Sequence, residues 1–332
     1  MSERIQLAHG GGGSLMQQLI DKEFLCLYSD QSQPLHDAAR LQLPHGRLAF
    51  SSDGYVVQPL EFCGGDIGTL AVTGTANDLA MAGARPLHLS VAFILEEGLP
   101  LAVLRRLVAS MAAAARACGV SIVTGDTKVV ERGKADGVFV TTSGIGLVEA
   151  ACAIDPGAIT PGDQLLVSGD LGRHGLAILA ARHGLELDAA IASDCAPLWP
   201  AVETMLAAGI TPHCLRDLTR GGLGSALTEL AAASGCDGLL READLPLAPG
   251  VQAGCELLGL EPLHLANEGR FLAVLPAEQA ARAAALLAPQ GARLVGELCR
   301  AAAAPPQVRL RTVLGSERLL LPFSGEMLPR IC

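Results

Sequence analysis

Aromatic residues are scarce: one Trp, two Tyr and seven Phe make 3% of 332 residues, although half of the chain is hydrophobic. Ala and Leu carry the apolar content, which suits helices packed on sheets and argues against disorder. Positive charge is also in the minority, with 24 Lys+Arg against 34 Asp+Glu and a formal net charge of −10. Broad nucleic-acid binding needs clustered Lys and Arg to neutralise phosphates, so the balance argues against that class. A small phosphate ligand stays open, because backbone N–H groups and metal ions hold one. No uncharged apolar run reaches the roughly 18 residues of a transmembrane helix. The opening Met1-Ser2-Glu3-Arg4-Ile5 lacks the apolar core of a secretory signal. None of the ten cysteines stands in a C-x-x-C arrangement, which speaks against a zinc ribbon or a thioredoxin-like site. The expectation is a cytoplasmic protein with reduced thiols, nine of them ordinary packing residues.

What is present is an alternation of strand-like and helix-like stretches, in a chain long enough for two domains. Residues 47–52 and 87–94 read as strands, the second with Leu87, Leu89, Val91 and Phe93 on one face. Leu101–Cys118 has helical apolar spacing and ends at Gly119, a natural stop. Strands at 121–124 and 138–146 follow. Turn formers then cluster at Asp155-Pro156-Gly157 and Pro161-Gly162-Asp163, the expected domain boundary. Beyond it come a strand at 164–168, helices at 197–208 and 222–234, a strand at 270–275, a helix at 277–288 and a strand at 307–312. The fold class is α/β (α+β) with two lobes. The expected division is a Gly-rich segment at 1–35, lobes at 36–155 and 156–312, and a mobile tail at 313–332.

Several segments have the composition of a nucleotide site. Gly10-Gly11-Gly12-Gly13-Ser14 precedes an apolar helical stretch and could bring backbone amides close to a phosphate, or be a flexible linker. It is neither a Walker motif nor G-x-G-x-x-G. Asp53, Asp78 and Asp126 stand in Ser-Asp-Gly, Asn-Asp and Gly-Asp-Thr settings at expected element ends. Mg²⁺ takes such carboxylates with phosphate oxygens, whereas any one Asp is more often a turn or cap residue. Asp66 heads the helix running to Met81 and reads as its N-cap. Lys128 follows Gly125-Asp126-Thr127, and Arg216-Asp217-Leu218-Thr219-Arg220 precedes a glycine-opened helix, an anion clamp or a salt-bridged helix start. Glu268, in Ala266-Asn267-Glu268-Gly269, could act as a general base if burial raised its pKa. The last residue, Cys332, is a thiol with reach and access.

Thr124-Gly125-Asp126-Thr127-Lys128-Val129-Val130 and the terminal Pro329-Arg330-Ile331-Cys332, in order with the segments above, resemble the HypE family of NiFe-hydrogenase maturation proteins. The resemblance runs from about residue 5 to the end. It departs where that family often has Ser, at Gly11 or Gly12 and at Gly54. It implies a two-lobed PurM-like fold, like that of aminoimidazole ribonucleotide synthetase: a mixed sheet with helices in the N-terminal lobe, which dimerises, then an α/β lobe and a flexible tail. It implies a homodimer that binds ATP with Mg²⁺ at Asp53, Asp78 and Asp126, within a nucleotide site of Asp53, Asp66, Asn77, Asp78, Gly125, Asp126, Thr127, Asp217 and Arg220. Cys332 would receive a carbamoyl group from the carbamoyltransferase HypF. ATP would drive its dehydration to thiocyanate, with Glu268 as base and Lys128 orienting the amide, and cyanide would pass to iron on the HypC–HypD complex. No nucleic acid or membrane is expected as partner. The rivals are a small-molecule kinase or synthetase of the same fold, a selenophosphate synthetase included, and a non-catalytic carrier of the modified thiol.

Overall fold

The computed structural model describes residues 3–27, 38–185, 191–321 and 330–332. Helix α1 (Ser14–Leu19) follows the glycine run. Strand β1 (Leu48–Tyr55) comes next, then the small hairpin β2 (Glu61–Phe62) and β3 (Gly65–Asp66). Helix α2 (Ile67–Met81), strand β4 (Ala84–Glu96), helix α3 (Leu101–Cys118), and strands β5 (Ser121–Val130) and β6 (Val138–Val148) complete the first lobe. Its sheet has the order β1-β6-β4-β5, antiparallel except for β4 against β5. Helix α3 forms because Leu101, Leu104, Leu107, Val108, Met111 and Ala115 share one face, all buried. Each buried leucine contributes roughly 2 kcal/mol. The helix stops at Gly119, whose φ of 67° is left-handed. Helix α2 is buried almost all round, between α3 and the sheet.

The second lobe holds β7 (Gln164–Val167), α4 (Arg173–His183), α5 (Trp199–Ala207), β8 (Cys214–Asp217), α6 (Gly222–Ser234) and β9 (Cys236–Arg241). Then come α7 (Pro249–Leu258), β10 (Phe271–Leu275), α8 (Ala277–Leu287), β11 (Arg293–Arg300), β12 (Val308–Arg311) and β13 (Glu317–Leu319). Seven strands pair in the order β13-β12-β9-β11-β7-β10-β8. Both faces of this sheet are covered: Leu272 and Val274 enter one core cluster, and Phe271, Ala273 and Leu275 enter another. That is why the run Phe-Leu-Ala-Val-Leu of β10 is apolar without alternation.

Three expectations are corrected. Strand β1 runs on through Asp53 to Tyr55 and β5 through Asp126 to Val130, so both aspartates sit inside strands, not beyond their ends. The chain does not become a free tail at 313, because β13 pairs antiparallel with β12 and Leu320 N–H donates to the Val308 carbonyl at 2.8 Å. Cys26 and Cys63 are exposed, not packed, whereas Cys118, Cys214, Cys236 and Cys255 are buried. The glycine run is not a loose linker: Gly10 lies against β5, where an added Cβ would come within 2.9 Å of the Val129 nitrogen. Among the described residues no helix is long and apolar enough to cross a membrane.

Candidate active site

Three acids from three elements and a fourth from a loop converge where the two lobes meet. Asp53 lies on the face of β1 turned toward α2 and accepts from the Tyr55 hydroxyl at 3.2 Å. Asp78, in the last turn of α2, accepts from the Ser51 hydroxyl at 2.5 Å. Asp217 ends β8, and Glu268 lies three residues before β10. Burial pushes the Glu268 carboxyl far above the usual range, and the nearby charges of Asp217, Asp194 and Asp53 add to it. Asp78 is raised to about 7 by burial, then by Asp217 and Asp53. Asp217 is raised by burial as well. Arg220 is the cation that opposes these shifts at Glu268.

Glu268 is 3% exposed and its Oε1 has no hydrogen-bond partner among the described residues. Its position is fixed through the main chain. The Glu268 N–H donates to Asp194 Oδ1 at 3.1 Å, and its carbonyl accepts from Asn77 Nδ2 at 3.3 Å. Asn77 also donates to the Ala196 carbonyl at 3.0 Å and accepts from Leu198 N–H at 2.8 Å. Its amide is thus used in joining α2 to the second lobe. Asp66 is used in the fold too: its Oδ1 accepts from Thr69 N–H at 2.8 Å as the α2 cap, and from the Ser110 hydroxyl of α3 at 2.6 Å.

The C-terminus enters this site. Val56 N–H donates to the main-chain oxygen of Cys332 at 3.1 Å and Gln58 N–H to the Arg330 carbonyl at 3.3 Å, so the last three residues lie along the extension of β1. Ile331 is buried at 4% exposure. The Cys332 thiol is pushed up to about 12, by burial first and by the Glu268 charge second, with Arg220 opposing. Fully buried His174 and partly buried Arg182, both on α4, hold the carbonyls of Ile331 and Arg330.

The family models for AIR synthase related proteins match this chain at residues 35–148 for the N-terminal domain and 160–303 for the C-terminal domain. A Rhodobacter capsulatus protein, carbamoyl dehydratase HypE, is 52% identical over 339 residues, covering 99% of this chain and 98% of that protein. The chain belongs to the HypE family. A crystal structure of hydrogenase maturation protein HypE in complex with ATP superposes with a TM-score of 0.93 at 46% identity, covering 98% of this chain and 99% of that one. A chain from a HypE–HypF complex superposes at 0.79 with 38% identity, over 92% and 99% of the two chains. Thiamine-monophosphate kinase from Stenotrophomonas maltophilia, at 19% identity and a TM-score of 0.65, shares the fold alone.

Against the residues that mark the HypE resemblance, the geometry divides the expected set in two. Asp53, Asp78, Asp217, Glu268, Arg220 and Cys332 interact with one another. Asp126 and Lys128 do not join them within one chain. The cross-strand register sets Asp53 in a row with Thr142, Val91 and Gly125, and sets Asp126 in a row with Gly54, Thr141 and Ala92. Side chains alternate along strands, so Asp126 and Lys128 share the outer face with exposed Ile94, while buried Thr127 faces inward. The pair also lies three strand spacings from β1, about 14 Å. Lys128 pairs with Asp126 at 2.6 Å and holds that carboxyl below the usual range. Among the described residues no group of three or more His, Cys, Asp or Glu side chains is placed to hold a metal ion, so any metal there would need oxygens of the nucleotide as further ligands. Arg216 pairs with Glu229 at 2.9 Å and its charge also acts on Asp217, more than that of Arg220, whereas Arg220 is the clamp residue whose charge reaches Glu268 and Cys332. Composition and motif gave no sign of Asp194, His174 or Arg182. They stand out only once the tail and the Glu268 segment are seen to lean on them.

Proposed function

We propose that the chain uses ATP to dehydrate an S-carbamoyl group on its own Cys332 to a thiocyanate, the cyanide then passing to the iron of a NiFe-hydrogenase active site. The observation that carries this reading is a C-terminal thiol seated beside a buried carboxyl, Glu268, in a cluster of acids suited to a metal–nucleotide complex. HypF, whose complex with HypE is among the structural relatives, fits as carbamoyl donor. Iron on the HypC–HypD complex fits as cyanide acceptor.

The amide oxygen of the carbamoyl group is a poor leaving group. Its attack on the γ-phosphorus expels ADP and converts it into a phosphate ester, one N–H proton being lost. Cleavage of the C–O bond then releases phosphate as the second N–H proton departs, closing the C≡N bond. The balance is S-carbamoyl plus ATP giving thiocyanate, ADP and phosphate. Glu268 is the acceptor for the first of these protons, because a buried carboxylate is a stronger base than a solvated one, and the departing phosphate carries away the second. The oxygen donors of Asp53, Asp78 and Asp217 are of the hard kind that Mg²⁺ takes, and Asp78 and Asp217 are raised first by burial and further by neighbouring carboxylates. When bound, Mg²⁺ supplies neutralisation of the nucleotide phosphates. Arg220 contributes a fixed positive charge to the same pocket.

We assign the outer sheet face to a homodimer contact. Phe50 is 71% exposed there and Leu48 48%, on the same strand face, with Ile94 two strands away. A two-fold partner covering that face would bring its own Asp126 and Lys128 toward this chain's tail and nucleotide, reuniting the set that one chain separates.

The test is mass spectrometry of the C-terminal peptide after incubation with HypF, carbamoyl phosphate and ATP, with a non-hydrolysable ATP analogue in parallel. A carbamoyl adduct on Cys332 that loses water only with hydrolysable ATP is the expected result. ATP turnover with Cys332 unmodified would move the protein to the kinase or synthetase class. An adduct that never dehydrates would leave a carrier.

A further inference from the structure

His174 has no part in the chemistry above, yet it is 0% exposed and both ring nitrogens are engaged. Nε2 lies 2.8 Å from the Ile331 carbonyl and Nδ1 lies 2.8 Å from the Ser193 hydroxyl. A carbonyl only accepts, so Nε2 carries the hydrogen. In the neutral ring Nδ1 is then the unprotonated nitrogen, beside the Ser193 hydroxyl, which also lies 3.2 Å from Cys195 Sγ. The Phe62 ring meets the imidazole edge-on at 5.5 Å and fills the remaining side. Ser193 is held in turn, its N–H donating to the Cys63 carbonyl at 2.8 Å.

Arg182, two turns further along α4, grips the preceding carbonyl. Its Nη2 donates to Arg330 O at 2.9 Å and to Gln58 O at 2.8 Å. The N-terminal end of the same helix is fastened to the segment that bears Glu268. Gly172 N–H donates to Asn267 Oδ1 at 2.7 Å and Gly175 N–H to the Ala266 carbonyl at 3.0 Å. One rigid helix therefore sets both ends of the reacting pair: the carbonyls that lead to the Cys332 thiol, and the residues immediately before the base.

We propose that α4 is the positioning element of the dehydration, with His174 as a fixed-tautomer donor and Arg182 as a second clamp that seat the main chain of Ile331 and Arg330 and so align the Cys332 carbamoyl group with Glu268. This deepens the reading above and rests on it. Because the grip is on carbonyl oxygens, it is indifferent to what the thiol carries, and serves the free, carbamoylated and cyanated arm alike.

The test compares full-length His174→Phe, His174→Gln and Arg182→Met proteins. Gln presents an amide N–H near the position of Nε2, and Phe keeps the volume without the donor. Three quantities are read: the rate of iodoacetamide labelling of Cys332 without ATP, followed on the C-terminal peptide; ATP affinity; and single-turnover dehydration of the carbamoylated protein. One buried hydrogen bond corresponds to a change of about 3- to 10-fold. His174→Phe and Arg182→Met should speed labelling and slow dehydration by that factor, with ATP affinity unchanged. His174→Gln should stay within about twofold of the parent. Equal labelling of the Phe and Gln variants would show that ring volume matters and overturn the assignment, as would parental labelling in Arg182→Met. Should His174→Phe fail to fold, Arg182→Met decides alone. Absence of dehydration in the parent protein would sink the proposed reaction, while the labelling rates would still report on the clamp.

Discussion

Asp66 offers a clean separation of fold from function, because the acid belongs to the expected nucleotide site and also has two structural partners on one carboxylate oxygen. Its Oδ1 caps α2 through Thr69 N–H at 2.8 Å and ties α3 to that cap through the Ser110 hydroxyl at 2.6 Å. Asp66→Ala removes an N-cap contribution of about 1 kcal/mol and a partly buried hydrogen bond of about 1 kcal/mol, so a loss of about 2 kcal/mol is expected. Asp66→Asn keeps an oxygen in the same place, and Asn ranks with Asp as an N-cap, so its loss should stay below about 0.5 kcal/mol. Urea unfolding followed by circular dichroism gives both values, with unchanged slopes required for the comparison. ATP affinity of the Asn variant should equal that of the parent. A tenfold weaker ATP affinity in Asp66→Asn at unchanged stability would place Asp66 on the ligand and refute the cap assignment. A cost under 0.5 kcal/mol in Asp66→Ala would refute the energetics.

The remaining predictions concern the arm, the base and the dimer. The seated thiol has its pKa raised from 9.0 to about 12, so the seat binds the proton more tightly than solvent does. Seating is therefore fully favoured below about pH 9 and weakens about tenfold per unit between 9 and 12. Labelling of Cys332 should rise with a midpoint above 9 and below 12, lower the weaker the seating; a midpoint near 12 would mean that the thiol reacts without leaving its seat. In Gly269→Ala an added Cβ would lie 1.9 Å from the Asp194 carbonyl oxygen, forcing apart the two segments that fix Glu268. The expected loss is about 3 kcal/mol, read by chemical denaturation, and a neutral substitution would contradict the packing. Lys128→Ala and Glu268→Gln homodimers should each lose dehydration by at least about a hundredfold. A re-associated equal mixture should regain about a quarter of parental activity, since each mixed dimer of a two-fold pair restores one site of two. A mixture as inactive as its components would put Lys128 to work within its own chain.

Local patterns carried much of the fold. The apolar spacing of Leu101–Cys118 and the glycine after it give α3 to the residue, and the Asp66 cap gives the start of α2. Strand lengths were less legible. Asp53-Gly54 and Gly125-Asp126 look like turns, yet both continue their strands, because β6 and β4 supply hydrogen-bond partners that no local rule sees. The face on which Asp126 and Lys128 project depends on a register shift between Leu89 and Ser90 of β4, a tertiary irregularity. The reactive ends, Cys332 and Glu268, were visible as a motif, whereas the buried ring that seats the arm was not. His174 stands in Arg173-His174-Gly175, a setting that on its own suggests only a helix start.

The sheet pin at Leu320 limits how far the thiol can travel. From Leu320 to Cys332 there are 332 − 320 = 12 residues. At about 3.5 Å each, the released arm has a contour of about 40 Å. Any donor or acceptor centre must come within that radius of one fixed point on the edge of the second sheet. Within it, return to the seat is an intramolecular encounter, with a local concentration of the thiol in the millimolar range that bulk dilution leaves unchanged. Under the proposed reaction, a carbamoyl group loaded at that distance would come back to the base of its own molecule far sooner than it would meet another copy.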